Sequence, residues 1–240
     1  MASNGWVPSN DGMNGIGDQN DGLIDRCRFF QSVLNKQINV YGKHQLLATP
    51  WKFWRSRFAG GTYGEYIMNL KAIYTAYTTA TFWTLFDGLP PPSRFLNASS
   101  LHVMRDMRKP LWTETGNIYG GAFRLRVKRK DLNAVWKTVL LATIGEQISS
   151  FVADDDEVCG VSVLTLDKED AVIIWNTRAE SAGNAKVFEC VQRLLPDTKF
   201  ISMIYTAQID NPAFGDRFRL PWCTNSKRKF LPIRDRPFDY

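Results

Sequence analysis

Residues 120–147 read GGAFRLRVKRKDLNAVWKTVLLATIGEQ, and the reading of this stretch decides the fold. After Gly120-Gly121, the apolar Phe123, Leu125 and Val127 alternate with Arg124, Arg126 and Lys128. That period of two belongs to a strand with one apolar and one wet face. The period then changes: Leu132, Val135, Trp136, Val139, Leu140 and Ile144 form one stripe of a helix predicted over about 130–150. A half-wet strand leading into a helix with one apolar stripe is the material of a sheet backed by helices.

Downstream, an acidic loop (Asp154, Asp155, Asp156, Glu157) precedes strands predicted over about 158–166 and 171–177, joined by the polar turn Asp167-Lys168-Glu169-Asp170. A helix over about 184–195 stops before Pro196, and a strand over about 199–206 follows. Upstream, the aromatic and β-branched runs 45–58 and 66–74 read as strands. Thr78 or Thr79 caps a short helix over about 79–88, ended by Gly88 and Pro90-Pro91-Pro92. Residues 93–119 read mostly as loop. Strands dominate and no βαβ alternation appears, which predicts an α+β fold: an antiparallel sheet with helices on one face and the other face open to a ligand.

The flanks differ in composition. Residues 1–22 are too poor in apolar side chains to offset the entropy of ordering and read as a disordered tail. Residues 23–44 form an extension in which Leu23, Ile24, Cys27, Phe30 and Leu34 recur at helical spacing, so an amphipathic helix is predicted over about 22–38. Residues 45–210 are the domain proper, and 211–240 are a basic, proline-containing extension.

Composition narrows function. The 240 residues carry a formal charge of +6, compatible with nucleic acid without establishing it. No apolar run reaches membrane-spanning length and no secretory signal is visible, so no membrane role is expected. Cys27, Cys159, Cys190 and Cys223 are scattered and only two histidines occur, which points to neither disulfides nor a zinc site and suits a reducing compartment. His44 and His102 stand apart from any nucleophile or carboxylate, the phosphate-loop and dinucleotide motifs are missing, and no catalytic constellation appears. No cofactor and no metal are implied.

The eight tryptophans say more. Trp112 lies in a polar loop, followed closely by Glu114, and a row of basic residues occupies one strand face. Aromatic faces, a carboxylate acceptor and cations are what a positively charged, phosphorylated purine requires. Rings stack on it at about 1–3 kcal/mol per base, the acceptor takes its N–H groups, and Lys or Arg pair with its phosphates. A generic aromatic RNA-binding surface has the same ingredients.

Over about residues 45–206 the chain resembles the translation initiation factor 4E family. HVMRDMRKPLW (102–112), with Asn117 and Gly120-Gly121 following at the family's spacing, is similar to one family stretch. KFWRSRF (52–58), TFWTLF (81–86), VWKTVLLATIGEQ (135–147), and EVCGVSV (157–163) with IIWNT (173–177) resemble others, in the same order. The resemblance implies a curved antiparallel sheet with three helices on its convex face and the methylated 5′ cap of messenger RNA in its concave face. It places Trp112 and Tyr66 as the base sandwich, with Tyr63 as an alternative to Tyr66, and Trp175 against the base methyl. Thr113 stands where the family has an acidic residue, with Glu114 one position later. Leu166, Ala171 and Ala122 replace family basic residues, while Lys168 is retained and Arg124 and Arg126 are positioned to compensate. The resemblance also implies a scaffold-binding helical face formed by Trp83, Leu141, Ile144 and Gly145. The partners it implies are capped messenger RNA and a 4G-like scaffold or a 4E-binding protein, for a protein of the cytoplasm, or of cytoplasm and nucleus, that is otherwise monomeric. Three readings follow: an initiation factor joining cap to scaffold, a cap-binding repressor, or an adaptor that has lost the cap.

Overall fold

The computed structural model describes residues 45–57, 63–166 and 170–210. The tail, the 23–44 extension with its helix, the 211–240 extension and Lys168 lie outside the described residues.

Seven antiparallel strands form one sheet. In chain order they are β1 (Leu46–Arg57), β2 (Lys71–Thr78), β3 (Ser99–Arg105), β4 (Gly121–Val127), β5 (Val158–Thr165), β6 (Asp170–Asn176) and β7 (Ser202–Ala207), arranged β2-β1-β3-β5-β6-β4-β7. The helices are α1 (Tyr63–Asn69), α2 (Thr79–Gly88), α3 (Arg129–Ile144) and α4 (Val187–Leu194). Helices α2, α3 and α4 pack on one side. Phe82, Leu132, Trp136, Leu140 and Val191 bury themselves against Phe53, Val103, Val161, Phe123, Leu125 and Ile174 of the strands. The stripe read on 130–150 is thus the core face of α3, which ends earlier, at Ile144, because Gly145 caps it. Thr78 caps α2 through a bond from the Thr81 N–H to its Oγ1, as its position before the apolar run predicts.

Two segments differ from their sequence reading. The run 66–74, read as a strand, is divided between helix α1 and strand β2. Ile67 and Met68 encouraged a strand assignment, yet both are solvent-exposed. Local bonds close the turn instead, with Asn69 Nδ2 donating to the Glu65 carbonyl and Leu70 N–H to that of Tyr66. The loop read over 93–119 contains β3, which pairs with both β1 and β5. Leu101 to Arg105 are buried on both faces, so the alternation that betrays a half-wet strand never appears.

The register sorts side chains onto the second, concave face. One row across it is Trp54, His102, Ser162, Ile173 and Arg124, and the next is Lys52, Met104, Gly160, Trp175 and Ala122. Gly160 has no room for a larger residue, since a Cβ there would sit 2.4 Å from the Met104 sulfur.

Candidate functional site

Two aromatic rings project at one end of the concave face. Tyr66 comes from α1, which Leu70 anchors by packing against the small apolar cluster of Trp54, Met104 and Trp175. Trp112 comes from the loop after β3. That loop is a string of turns stapled by Asn117, only 1% exposed, whose Nδ2 donates to the carbonyls of Lys109 and Leu111 at 2.8 Å each. Arg108 adds a bond to the Gly116 carbonyl. The outcome is a near-parallel pair: the Tyr66 and Trp112 rings are 6.0 Å apart between centroids and inclined by 17°. The side chain of Tyr63 lies outside the described residues. A planar base inserted between two rings needs about 3.5 Å on each side; the 6.0 Å between centroids is the upper bound on the gap, so this pair is a slot at least about 1 Å short of full width.

The floor beside the slot is polar and dry. Trp175, 6% exposed, donates its indole N–H to Ser162 Oγ at 2.9 Å. Ser162 Oγ lies 2.7 Å from His102 Nδ1. His102 Nε2 lies 2.8 Å from Ser100 Oγ and 3.4 Å from the Tyr66 hydroxyl. Burial pushes the His102 pKa down to about 3, so the imidazole is neutral. Sequence reading treats His102 as a lone histidine and has no reason to notice Ser162, because Tyr66, Ser162 and Trp175 are brought together from separate parts of the chain.

Basic groups flank the floor. Arg124 stands opposite Ile173 and Ile204, and Arg126 opposite Ala171 and Ser202, on the same face of β4. Arg124 makes no ion pair among the described residues. Its pKa is lowered, first by burial and then by the neighbouring Arg126 charge. A desolvated cation beside a like charge is an arrangement that an anion would relieve. On the other side, Lys52 Nζ lies 4.6 Å over the Trp54 ring, its pKa lowered by burial and then by Lys109. The register aligns Ala171 with Arg126 and Ala122 with Trp175, and Leu166 is exposed. These three positions supply no charge, and Lys168 is not described. Thr113 is exposed and Glu114 half-buried; the Glu114 backbone accepts from the Asn117 and Ile118 N–H groups.

On the helical side, Trp83 is 42% exposed on α2 and meets Phe82 and Phe86 edge-on. Leu141 is half-buried and Gly145 exposed. Ile144, in contrast, is 6% exposed and belongs to the core, so it offers little surface to a partner. A cleft of about 270 Å³ opens nearby on the same side, lined by Phe86, Pro91, Trp136, Lys137 and Leu140 among others. Sequence reading missed it because its walls come from α3 and the Pro90–Pro92 turn together. Among the described residues no group of three His, Cys, Asp or Glu side chains could hold a metal ion, and no helix is long and apolar enough to cross a membrane.

The description of the eukaryotic initiation factor 4E family matches residues 46–216. The chain is 30% identical over 153 residues to eukaryotic translation initiation factor 4E of Saccharomyces cerevisiae, covering 63% of this chain and 70% of that protein. It is 27% identical over 148 residues to initiation factor 4E-2 of Arabidopsis thaliana, covering 60% and 59%. It is 29% identical over 127 residues to the initiation factor NCBP of Triticum aestivum, covering 52% and 53%. It spans little more than half the length of the last two. Among solved structures, C. elegans eIF4E-3 in complex with the 4E-binding protein Mextli and cap analog superposes with a TM-score of 0.62 at 22% identity, over 70% of this chain and 95% of that one. Ascaris suum eIF4E-3 with m2,2,7G cap gives a TM-score of 0.58 at 22% identity, over 68% and 91%. These likenesses establish the shared fold.

Proposed function

The chain belongs to the eukaryotic initiation factor 4E family, and from that premise we propose that it binds the 7-methylguanosine 5′ cap of messenger RNA between Tyr66 and Trp112 and links it to a scaffold protein on the helical face. The observation that carries this reading is the near-parallel Tyr66–Trp112 pair over the sheet face that also carries, further along the same row, the desolvated Arg124. Methylation makes the guanine ring a flat cation, and two aromatic faces attract such a cation by stacking and through their quadrupoles. Arg124 and Arg126 supply charge for the phosphates, with Lys168 as a further candidate. Trp175 forms the floor, and Glu114 or the Thr113 hydroxyl is left to accept from the guanine edge. Two solved structures of similar fold hold a cap or cap analog, and one of these also holds a 4E-binding protein, which supports both halves of the reading. Trp83, Leu141 and Gly145 are the exposed elements of the scaffold surface. The role is that of a cytoplasmic binding protein, in which nothing is chemically transformed.

The test is a titration of intrinsic tryptophan fluorescence with 7-methylguanosine triphosphate against unmethylated guanosine triphosphate. Saturable, methyl-dependent quenching that Trp112→Ala abolishes is the expected result. No quenching in a protein shown to be folded would overturn the cap reading. Retention of a 4G-like scaffold fragment on immobilised protein, lost in Trp83→Ala, tests the second half.

A further inference from the structure

His102 is a buried polar side chain of the concave face with three polar neighbours. It is 3% exposed, in the middle of a central strand, and its ring contacts Ser162, Ser100 and Tyr66. The donors and acceptors around it select one tautomer. An indole N–H can only donate, so Ser162 accepts from Trp175 and is left with its own O–H to place. His102 Nδ1 is the acceptor within reach at 2.7 Å. Nε2 then carries the proton and donates to Ser100 Oγ, with the Tyr66 phenol oxygen at the outer limit of the same bond. The opposite tautomer would leave a buried hydroxyl proton without a partner, at a cost of about 1–3 kcal/mol.

This chain of bonds joins two residues that a ligand in the slot would touch. Helix α1 has only seven residues, and its Ile67 and Met68 face solvent. Leu70, which packs on the sheet just after the helix, and the Tyr66 hydroxyl, which reaches His102, are two of the contacts that hold it there. We propose that His102 is a positioning residue for the cap slot: through Ser162 it ties the floor tryptophan Trp175 to the Tyr66 hydroxyl and keeps the Tyr66 ring parallel to Trp112. The proposal rests on the reading of Tyr66 and Trp112 as that slot. His102 meets Tyr66 at the hydroxyl and not at the ring face, so its role is to position the ring.

Two variants cut the tie from opposite ends. Tyr66→Phe keeps the ring and removes its hydroxyl; His102→Asn keeps a polar group near the Nδ1 position and withdraws the one at Nε2. Both are made in the full chain and read by affinity for 7-methylguanosine triphosphate. His102→Asn, which leaves both rings in place, is also read by the near-ultraviolet circular dichroism of the ligand-free Tyr66–Trp112 pair, calibrated as the difference between wild type and Trp112→Ala. His102→Asn is expected to lose most of the pair signal, and each variant to bind about 5-fold more weakly, while the double variant binds no more weakly than either single. An unchanged pair signal in folded His102→Asn overturns the proposal, as do losses that add in the double variant. Should His102→Asn fail to fold, His102→Gln decides by the same pair signal. Should the wild type not bind the nucleotide at all, the cap reading falls, and the pair signal still decides whether His102 positions Tyr66.

Discussion

Tyr66 and Trp112 face each other at 17° with 6.0 Å between their centroids, although one sits on a short helix and the other in a loop 46 positions later in the chain. Each is held from below by a separate device, the hydroxyl contact to His102 for Tyr66 and the Asn117 staple for Trp112. A base must part them by at least about 1 Å to reach contact on both faces. Binding is therefore expected to require a small outward movement of α1 or of the 109–117 loop. Trp112→Ala should cost about 1–3 kcal/mol of cap affinity. Tyr66→Trp should tighten binding, since an indole is the better partner for a flat cation. Equilibrium titration with methylated nucleotide checks both.

Arg124 is the cation whose environment most favours an incoming anion. Arg124→Ala should weaken binding of a triphosphate cap analogue much more than that of the cap nucleoside. It should also lower the slope of log affinity against log salt by about 1. Equal slopes for mutant and wild type would remove Arg124 from the phosphate site.

Asn117 does its work through two carbonyls. Asn117→Ala removes two side-chain hydrogen bonds and leaves the Lys109 and Leu111 carbonyls with only the backbone N–H groups of Leu111 and Glu114, with an expected loss of about 1–3 kcal/mol for the two bonds in a urea unfolding experiment. Because the same bonds set the height of Trp112, cap affinity should fall as well, while scaffold retention through Trp83 should not change.

Acid should destabilise the fold from two sources. His102 titrates near 6.5 when unfolded and near 3 when folded. Below pH 6.5 the unfolded chain therefore takes up a proton that the native state refuses. Stability should fall as pH drops from about 6.5 towards 3, by up to about 1.4 kcal/mol per pH unit from this group. Glu146 acts in the same direction, lower in pH. Burial raises its pKa, but hydrogen bonds from Arg105 and Ser149 and the Arg105 charge outweigh burial and hold it below 4.5. Its contribution is present above that value and is lost as pH falls through the folded value. Urea midpoints measured from pH 8 to pH 4 should decline from about 6.5 in the wild type, and His102→Asn should flatten the upper part of that decline.

Much of the architecture was legible because it is written in local periods. The alternation over 123–127 became β4, the stripe beginning at Leu132 became α3, and Thr78 capped α2 as expected. Such signals survive because one face of each element meets water and the other does not. Trp112, Tyr66, Arg124 and Arg126 could be singled out from residue type, spacing and resemblance, since the chemistry of a charged stacked base demands those types.

Other features exist only once the chain has folded. Strand β3 carries no alternation because it is covered on both faces, so its burial pattern is a property of β1, β5 and the layers around it. Residues 66–69, read as the start of a strand over 66–74, became helical because local bonds, and the docking of Leu70, outweighed weak intrinsic preference. The neutral state of His102 and its bonds to Tyr66, Ser100 and Ser162 depend on pairing β3 with β5 in one register, on docking α1 over them and on burial of the imidazole. Sequence determined which groups were available and which local elements they would form. The tertiary structure alone decided the spacing of the two rings and which polar groups stand beneath them, because those quantities are set by contacts between residues far apart in the chain.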